Sequence, residues 1–391
     1  MKILAKATLA LTLATLFMLF LASSFRAILG GIDFPDFYCA GVLAREHLDI
    51  YDASAQQHCQ MREAGRAGTY YIHPPFETLL FVPLARLPLK QAYLAWNSLG
   101  LVLLAVSIRS LLRGWNSRGD WLLITPLTLL FPPLLLNFVQ GQDSVLLMAV
   151  CVFALEALER RSFLQAGALL GLGLFKFHIV LPLALLCLIR GKLRFAVGFL
   201  ASTSVLIGIS VASFGWNIFE QYARFLREWP ELPNSGMHWQ AMANVRGLIA
   251  LITTPENRFV TASVLIATVL LLGIGAWSWH TAGHSLSLQR IAFSASVAIA
   301  LLVSYHLSPH DLTLLLIPMA SLIENDLKSK RLRWLPIALV AVVFLPPIHL
   351  IVLHAKYYAW MVVPILLIFS VLVLMLASSH SNGANLAKSP S

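Results

Sequence analysis

The chain has 391 residues, 58% of them hydrophobic and 12% charged, with a formal net charge of +10 and a mean hydropathy of +0.77. A soluble domain carries roughly 25% charged residues, so this composition excludes a soluble globular protein and indicates a polytopic, all-α membrane protein. The positive balance does not indicate nucleic acid binding, because Lys and Arg fall in short clusters between apolar runs, the pattern that fixes cytoplasmic loops.

In chain order, Lys2 and Lys6 precede an apolar run at residues 7–23, long for a signal peptide and read here as an uncleaved first span. It exports residues 26–77, a loop rich in Asp, Tyr, His and Cys. Two of its cysteines, Cys39 and Cys59, can pair if the loop faces an oxidising compartment. The apolar piece 78–87 is too short to span and is expected at the interface. Residues 93–112 form the second span, ending in Arg109, Arg113 and Arg118. Residues 121–138 return outward, and 144–158 lead back to Arg160 and Arg161.

The stretch 163–189 is interrupted by Lys176 and His178. As one helix it would bury an ammonium near mid-membrane; as two short helices meeting at Lys176 it returns the chain to the basic cluster Arg190, Lys192 and Arg194, which the positive-inside rule favours. Residues 195–213 cross to a second long polar loop, 214–258. Residues 260–279 return, and 291–305 lead to a polar knot, His306 to Asp311. A short return helix, 312–323, then delivers Lys328, Lys330, Arg331 and Arg333 to the cytoplasm. With spans at 334–353 and 359–377 this predicts about twelve transmembrane helices, two pairs of them short-helix hairpins, and both termini inside.

Under this topology the chemically useful groups collect on the outer face: Asp36, His73, Asn137, Gln140, Gln142, Asp143, Lys176, Arg246, His306, His310 and Asp311. Several have a plain structural alternative. Asp36 can cap a helix starting near Tyr38, and Lys176 can snorkel at a helix end. His306 and His310 can satisfy backbone groups freed at Pro309, Arg246 can be an ordinary loop charge, and Gln142 with Asp143 can open a helix. Asp33 reads as a loop acid. There is no Walker A, GxGxxG, HExxH, GxSxG or CxxC pattern, no metal-ligand spacing and no internal repeat.

Several motifs occur in a suggestive order: Asp36-Phe-Tyr-Cys-Ala-Gly, Asp49-Ile-Tyr-Asp52, Tyr71-Ile-His-Pro-Pro-Phe76, Pro83-Leu-Ala-Arg-Leu-Pro88, Gly141-Gln-Asp-Ser144, Ala166 to Gly173 with Lys176, and Ser308-Pro-His-Asp311. Together they resemble glycosyltransferase family 87, the polyprenyl-phosphate-mannose-dependent transferases of GT-C fold, over residues 30–323 of a single domain 1–391. The chain departs from that family's pattern in having Lys176-Phe177 in place of Lys-Pro, and His73-Pro-Pro in place of Tyr-Pro-Pro.

The resemblance implies an integral membrane enzyme of a bacterial inner membrane, its site on the extracytoplasmic side. It would move a sugar, mannose by expectation, from a polyprenyl-phosphate donor to a lipid or glycan hydroxyl with inversion and without a cofactor; the outer acids could hold a divalent ion, but no ligand cluster in the sequence demands one. A phosphate-linked sugar already carries a good leaving group, so one base suffices, whereas glycosidases use two carboxyls. Asp36 is the expected base. His310, catalytic alongside it, would join Lys176, Arg246 and His306 in meeting the phosphate, with Gln142 and His73 completing the substrate site. The other class to weigh is a transporter or flippase of lipid-linked sugars, which would also be basic and carry broken helices.

Overall fold

A computed structural model describes residues 2–28, 33–113, 120–233, 235, 239–251, 258–328, 349, 351 and 358–386. Among these residues every regular element is helical. Residues 30–32, Arg118, Lys330, Arg331, Arg333 and, apart from His349 and Ile351, the expected span 334–353 lie outside them.

The first helix, α1 (Lys2–Ile28), leaves Leu4, Leu11, Leu16 and Leu19 exposed, the surface expected against lipid. Three shorter helices follow: α2 (Phe34–Arg45), α3 (Ala53–Ala64) and α4 (Pro75–Phe81). Next come α5 (Leu89–Leu111) and the pair α6 (Trp121–Thr128) and α7 (Pro132–Gln140). The sequence reading made 121–138 one span. The chain instead breaks it at Phe131, because Pro132 and Pro133 cannot donate the N–H bonds that would continue α6 and are tolerated only in the first turn of a new helix.

The helix α8 (Ser144–Glu159) has 16 residues, about 24 Å at 1.5 Å per residue. It is followed by α9 (Phe163–Leu172), a 3-10 turn Gly173–Lys176, and α10 (Phe177–Phe214), which turns sharply at Lys192, a left-handed residue with φ 48°. Phe163–Arg190 is apolar and long enough to be one crossing, yet it is folded back on itself. The Arg190 guanidinium lies 5.5 Å from the centre of the Phe163 ring, so the two ends sit at one level and Lys176 marks the far end. This is the hairpin expected from the basic cluster.

The part of α10 after Lys192 runs alongside α9 at very close range. A Cβ on Gly198 would stand 1.9 Å from the Leu164 carbonyl oxygen, and one on Gly167 would stand 2.0 Å from that of Phe195. Small residues at such positions are how helices approach in lipid, where there is no hydrophobic drive to hold them together.

The remaining helices are α11 (Ile218–Glu228), α12 (Val245–Ala250), α13 (Arg258–Ala282), α14 (Leu286–Val303), α15 (Leu316–Lys328) and α16 (Val362–Leu386). The helix α14 is central: every residue from Ile291 to Leu302 is buried, and its serines bind neighbours, with Trp279 Nε1 donating to Ser296 Oγ at 2.9 Å and Ser294 Oγ to Ser321 Oγ at 2.7 Å.

The bundle has two polar ends. At one, Arg290 pairs with Glu324, reaches Glu159 at 3.5 Å and donates to the Leu111 carbonyl at 3.0 Å. Arg113 meets Glu156 there at 2.8 Å. The other end of the same helices carries Asp143, Lys176 and Asp311. The separation set by α8 approaches the roughly 30 Å thickness of a bilayer core.

At the second end, Cys39 in α2 and Cys59 in α3 are disulfide-bonded, closing a separation of 20 residues. A loop of that length constrains the unfolded chain by about 3 kcal/mol. The double variant Cys39→Ser/Cys59→Ser is therefore expected to lower the thermal midpoint in detergent by several degrees, and dithiothreitol should do the same to the native chain but not to the variant.

Candidate active site

A cavity of about 650 Å³ opens at the disulfide-bearing end, walled by α2, the segment 69–73, the end of α7, the Lys176 turn, the end of α11 and residues 305–311. It brings together eight of the eleven positions singled out above, Asp36, His73, Gln140, Gln142, Lys176, His306, His310 and Asp311, while Asn137, Asp143 and Arg246 are not on its wall.

The helix α2 begins at Phe34, not near Tyr38, with Asp33 at its N-cap position and Asp36 in its first turn. Asp36 caps nothing. Its Oδ1 accepts from Gln60 Nε2 at 2.9 Å and its Oδ2 accepts from the Thr69 hydroxyl. Gln60 is itself fixed, donating to Thr69 O at 2.9 Å and accepting from Gly68 N at 2.6 Å. Burial, reinforced by the neighbouring Asp33 carboxylate, pushes the Asp36 carboxyl well above the ordinary range. Asp33 is not a free loop acid: its Oδ2 accepts from Gln142 Nε2 at 2.7 Å, and it too lines the cavity.

Lys176 does not snorkel. It is 3% exposed and its ammonium touches Asp143 Oδ1 at 2.7 Å, Ser144 Oγ at 2.9 Å and Asp311. Asp311 also accepts from Ser144 Oγ at 2.9 Å and from the Ser308 N–H at 2.8 Å. Burial opposes its charge, but Lys176 prevails and holds Asp311 well below the usual carboxylate range. A lysine engaged by two carboxylates has little charge left for a phosphate.

His73 is on the wall with Glu77 and Asp143 behind it, its Nδ1 lying 2.7 Å from Glu77 Oε2 and 3.6 Å from Asp143 Oδ2. Burial disfavours charge on His73, yet the Glu77 and Asp143 carboxylates outweigh it and raise the imidazole above its usual value. Burial pushes Glu77 up to about 8.

His310 Nδ1 sits 2.9 Å from Gln140 Oε1, and His306 lies against Trp229 with ring centres 5.8 Å apart. Burial lowers His306 to about 4 and His310 to about 3. Both face the cavity as neutral imidazoles, offering hydrogen bonds rather than charge. Neither is simply a backbone partner at Pro309.

Arg246 does not line the cavity. Its guanidinium carbon lies over the Trp239 ring at 4.3 Å and over the Tyr305 ring at 4.4 Å, and Tyr305 is a wall residue. Among the described residues no carboxylate pairs with it, and the two rings hold the guanidinium in place.

The reading from sequence missed Gln60, Thr69 and Glu77. Glu77 had a signal, standing four residues after His73. Gln60 and Thr69 had none, since their partner is 24 and 33 residues away.

A polytopic all-helical membrane protein with a buried, basic carboxyl on the wall of a polar chamber at one end of its spans has the layout of an enzyme that works at a bilayer surface. The sequence profile of glycosyltransferase family 87 matches residues 71–305, and the chain belongs to that family. It is also similar to a polyprenol-phosphate-mannose-dependent alpha-(1-2)-phosphatidylinositol mannoside mannosyltransferase of Mycobacterium tuberculosis, 27% identical over 228 residues that cover 53% of this chain and 51% of that protein. The match thus spans about half of the relative's length. No solved structure matches the chain. The family profile begins after Asp36 and ends before His306.

Proposed function

We propose that this chain transfers a mannosyl group from a polyprenyl-phosphate donor to a hydroxyl of a lipid or glycan acceptor at the extracytoplasmic face of a bacterial inner membrane, as a single domain spanning residues 1–391. The observation that carries the reading is Asp36: a buried carboxyl on the cavity wall, oriented by Gln60 and Thr69 and raised in basicity. A base tuned upward by burial takes a proton from an alcohol more readily than an exposed carboxylate does.

In the step proposed, the acceptor oxygen attacks the anomeric carbon while the bond from that carbon to the phosphate oxygen breaks. The acceptor proton passes to Asp36, the phosphate leaves with the electron pair, and attack opposite the leaving group inverts the centre. The relative's dependence on polyprenol-phosphate mannose supports the donor. Two observations support the side: disulfides such as Cys39–Cys59 persist in oxidising compartments, and Arg113, Arg160, Arg190, Lys192 and Arg290 collect toward the opposite end. The loops 26–77 and 214–258 then lie outside. His73, Gln142, His306 and His310 supply hydrogen bonds to sugar and phosphate.

The phosphate is assigned chiefly to Arg246, whose guanidinium, held over the Trp239 and Tyr305 rings, can present two parallel N–H donors. Arg246→Ala is expected to raise the donor KM about tenfold or more with a smaller change in kcat, and Arg246→Lys to restore it only in part, because a point charge does not reproduce the fork. The reading as a whole is tested by giving the purified chain radiolabelled polyprenyl-phosphate mannose or a labelled nucleotide mannose together with membrane lipid extract. Product from the first alone is expected; equal product from the nucleotide sugar would overturn the donor assignment.

A further inference from the structure

His73, Glu77 and Asp143 stand together without well-formed hydrogen bonds. Their ligand atoms all lie within 4.8 Å of one another, and both oxygens of Glu77, both of Asp143 and the Nδ1 of His73 are buried without an aligned hydrogen-bond partner. The 2.7 Å approach of His73 Nδ1 to Glu77 Oε2 is close but off the hydrogen-bond axis. Lys176 meets Asp143 through Oδ1, which leaves the Oδ2 of Asp143 and both oxygens of Glu77 without an aligned donor, a costly arrangement unless something positive lies between them.

We propose that His73, Glu77 and Asp143 form a binding site for a divalent cation of the Mn²⁺ or Zn²⁺ type, one layer behind the cavity wall. The donor set, one imidazole and two carboxylates, suits such ions better than Ca²⁺ or Mg²⁺, which favour oxygen alone. The spacing is close to what is needed: ligands bonded at about 2.1 Å stand about 3.0 Å apart in an octahedral site and about 3.4 Å apart in a tetrahedral one, against 2.7 Å and 3.6 Å from His73 to its two partners. Lys176 does not occupy the position, for it approaches Asp143 through Oδ1, whereas Oδ2 is the oxygen nearer His73.

Charge supports the same conclusion. Asp143 and Asp311 share the ammonium of Lys176, and among the described residues the basic group facing Glu77 and the Oδ2 of Asp143 is the His73 imidazole. An incoming phosphate, which rests on the function proposed above, would bring further negative charge and would find in the cation its counter-charge.

The test is Mn²⁺ binding to the purified, EDTA-stripped chain without donor or acceptor, read by the loss of the free-ion electron paramagnetic resonance signal. Saturable binding of a single ion per chain is expected, weakened about tenfold or more in both Glu77→Gln and His73→Gln and unchanged in Glu220→Gln on the exposed face of α11. The site falls if no saturable binding occurs, or if the Glu77 and His73 variants bind like the native chain. Should Glu77→Gln fail to fold, His73→Gln decides alone. Because no sugar is present, failure of the transfer reaction would leave this result standing, and full transfer by a chain that binds no Mn²⁺ would remove the site without touching the reaction.

Discussion

Asp36→Asn is expected to lower the rate of sugar transfer by on the order of 10²-fold or more, with expression and donor binding close to native. Asparagine can keep both contacts of the native side chain: Oδ1 still accepts from Gln60, and Nδ2 can donate to a rotated Thr69 hydroxyl. What it lacks is basicity. The pH profile separates the roles further. A base must be ionised, so kcat/KM falls as pH drops through the folded pKa of Asp36. That value is raised, so the acid limb should lie clearly above about 3.9, the ordinary Asp value. Residual activity in Asp36→Asn should lose that limb. Asp33→Asn, which alters the Gln142 contact, should lower the rate much less. A fully active Asp36→Asn chain would remove the base and reopen the transporter reading.

Lys176→Met should act on the fold rather than on the donor. Removing one member of a buried ion cluster leaves the others uncompensated, at a cost of roughly 3–5 kcal/mol, and Lys176 joins Asp143 and Asp311 across three elements. The variant is expected to express poorly or to melt well below the native chain in detergent. Adding Asp311→Asn should recover part of the loss, since the second change removes a charge that the first left unpaired. If Lys176→Met instead melts like the native chain and only the donor KM rises, the ammonium is free for phosphate after all.

Much of the architecture was legible because lipid imposes simple rules. Apolar runs gave the long helices, and the basic cluster after Ile189 required the chain to turn back at Lys176, as the Arg190–Phe163 contact bears out. The reading erred at 121–138, where run length outweighed the Pro132-Pro133 signal. At the site, order along the chain pointed to the cavity positions, but not to what holds them. Gln60 lies in a polar helix with no pattern that distinguishes it from Gln56 or Gln57, and the disulfide-linked packing of α3 on α2, with the Gly68 and Thr69 backbone contacts, turns it toward Asp36. The engagement of Lys176 by Asp143 and Asp311 likewise depends on residues 33 and 135 positions away.

Enzyme and transporter differ in one chemical fact, whether the bond between sugar and phosphate is broken. The decisive measurement uses the purified chain in liposomes with radiolabelled polyprenyl-phosphate mannose and an acceptor lipid extract, followed by mild acid. A glycosyl phosphate releases its sugar under those conditions and an ordinary glycoside does not. The label is predicted to become acid-stable in a time- and enzyme-dependent way, and to remain acid-labile with Asp36→Asn. Label that changes leaflet but stays acid-labile with the native chain would contradict the account.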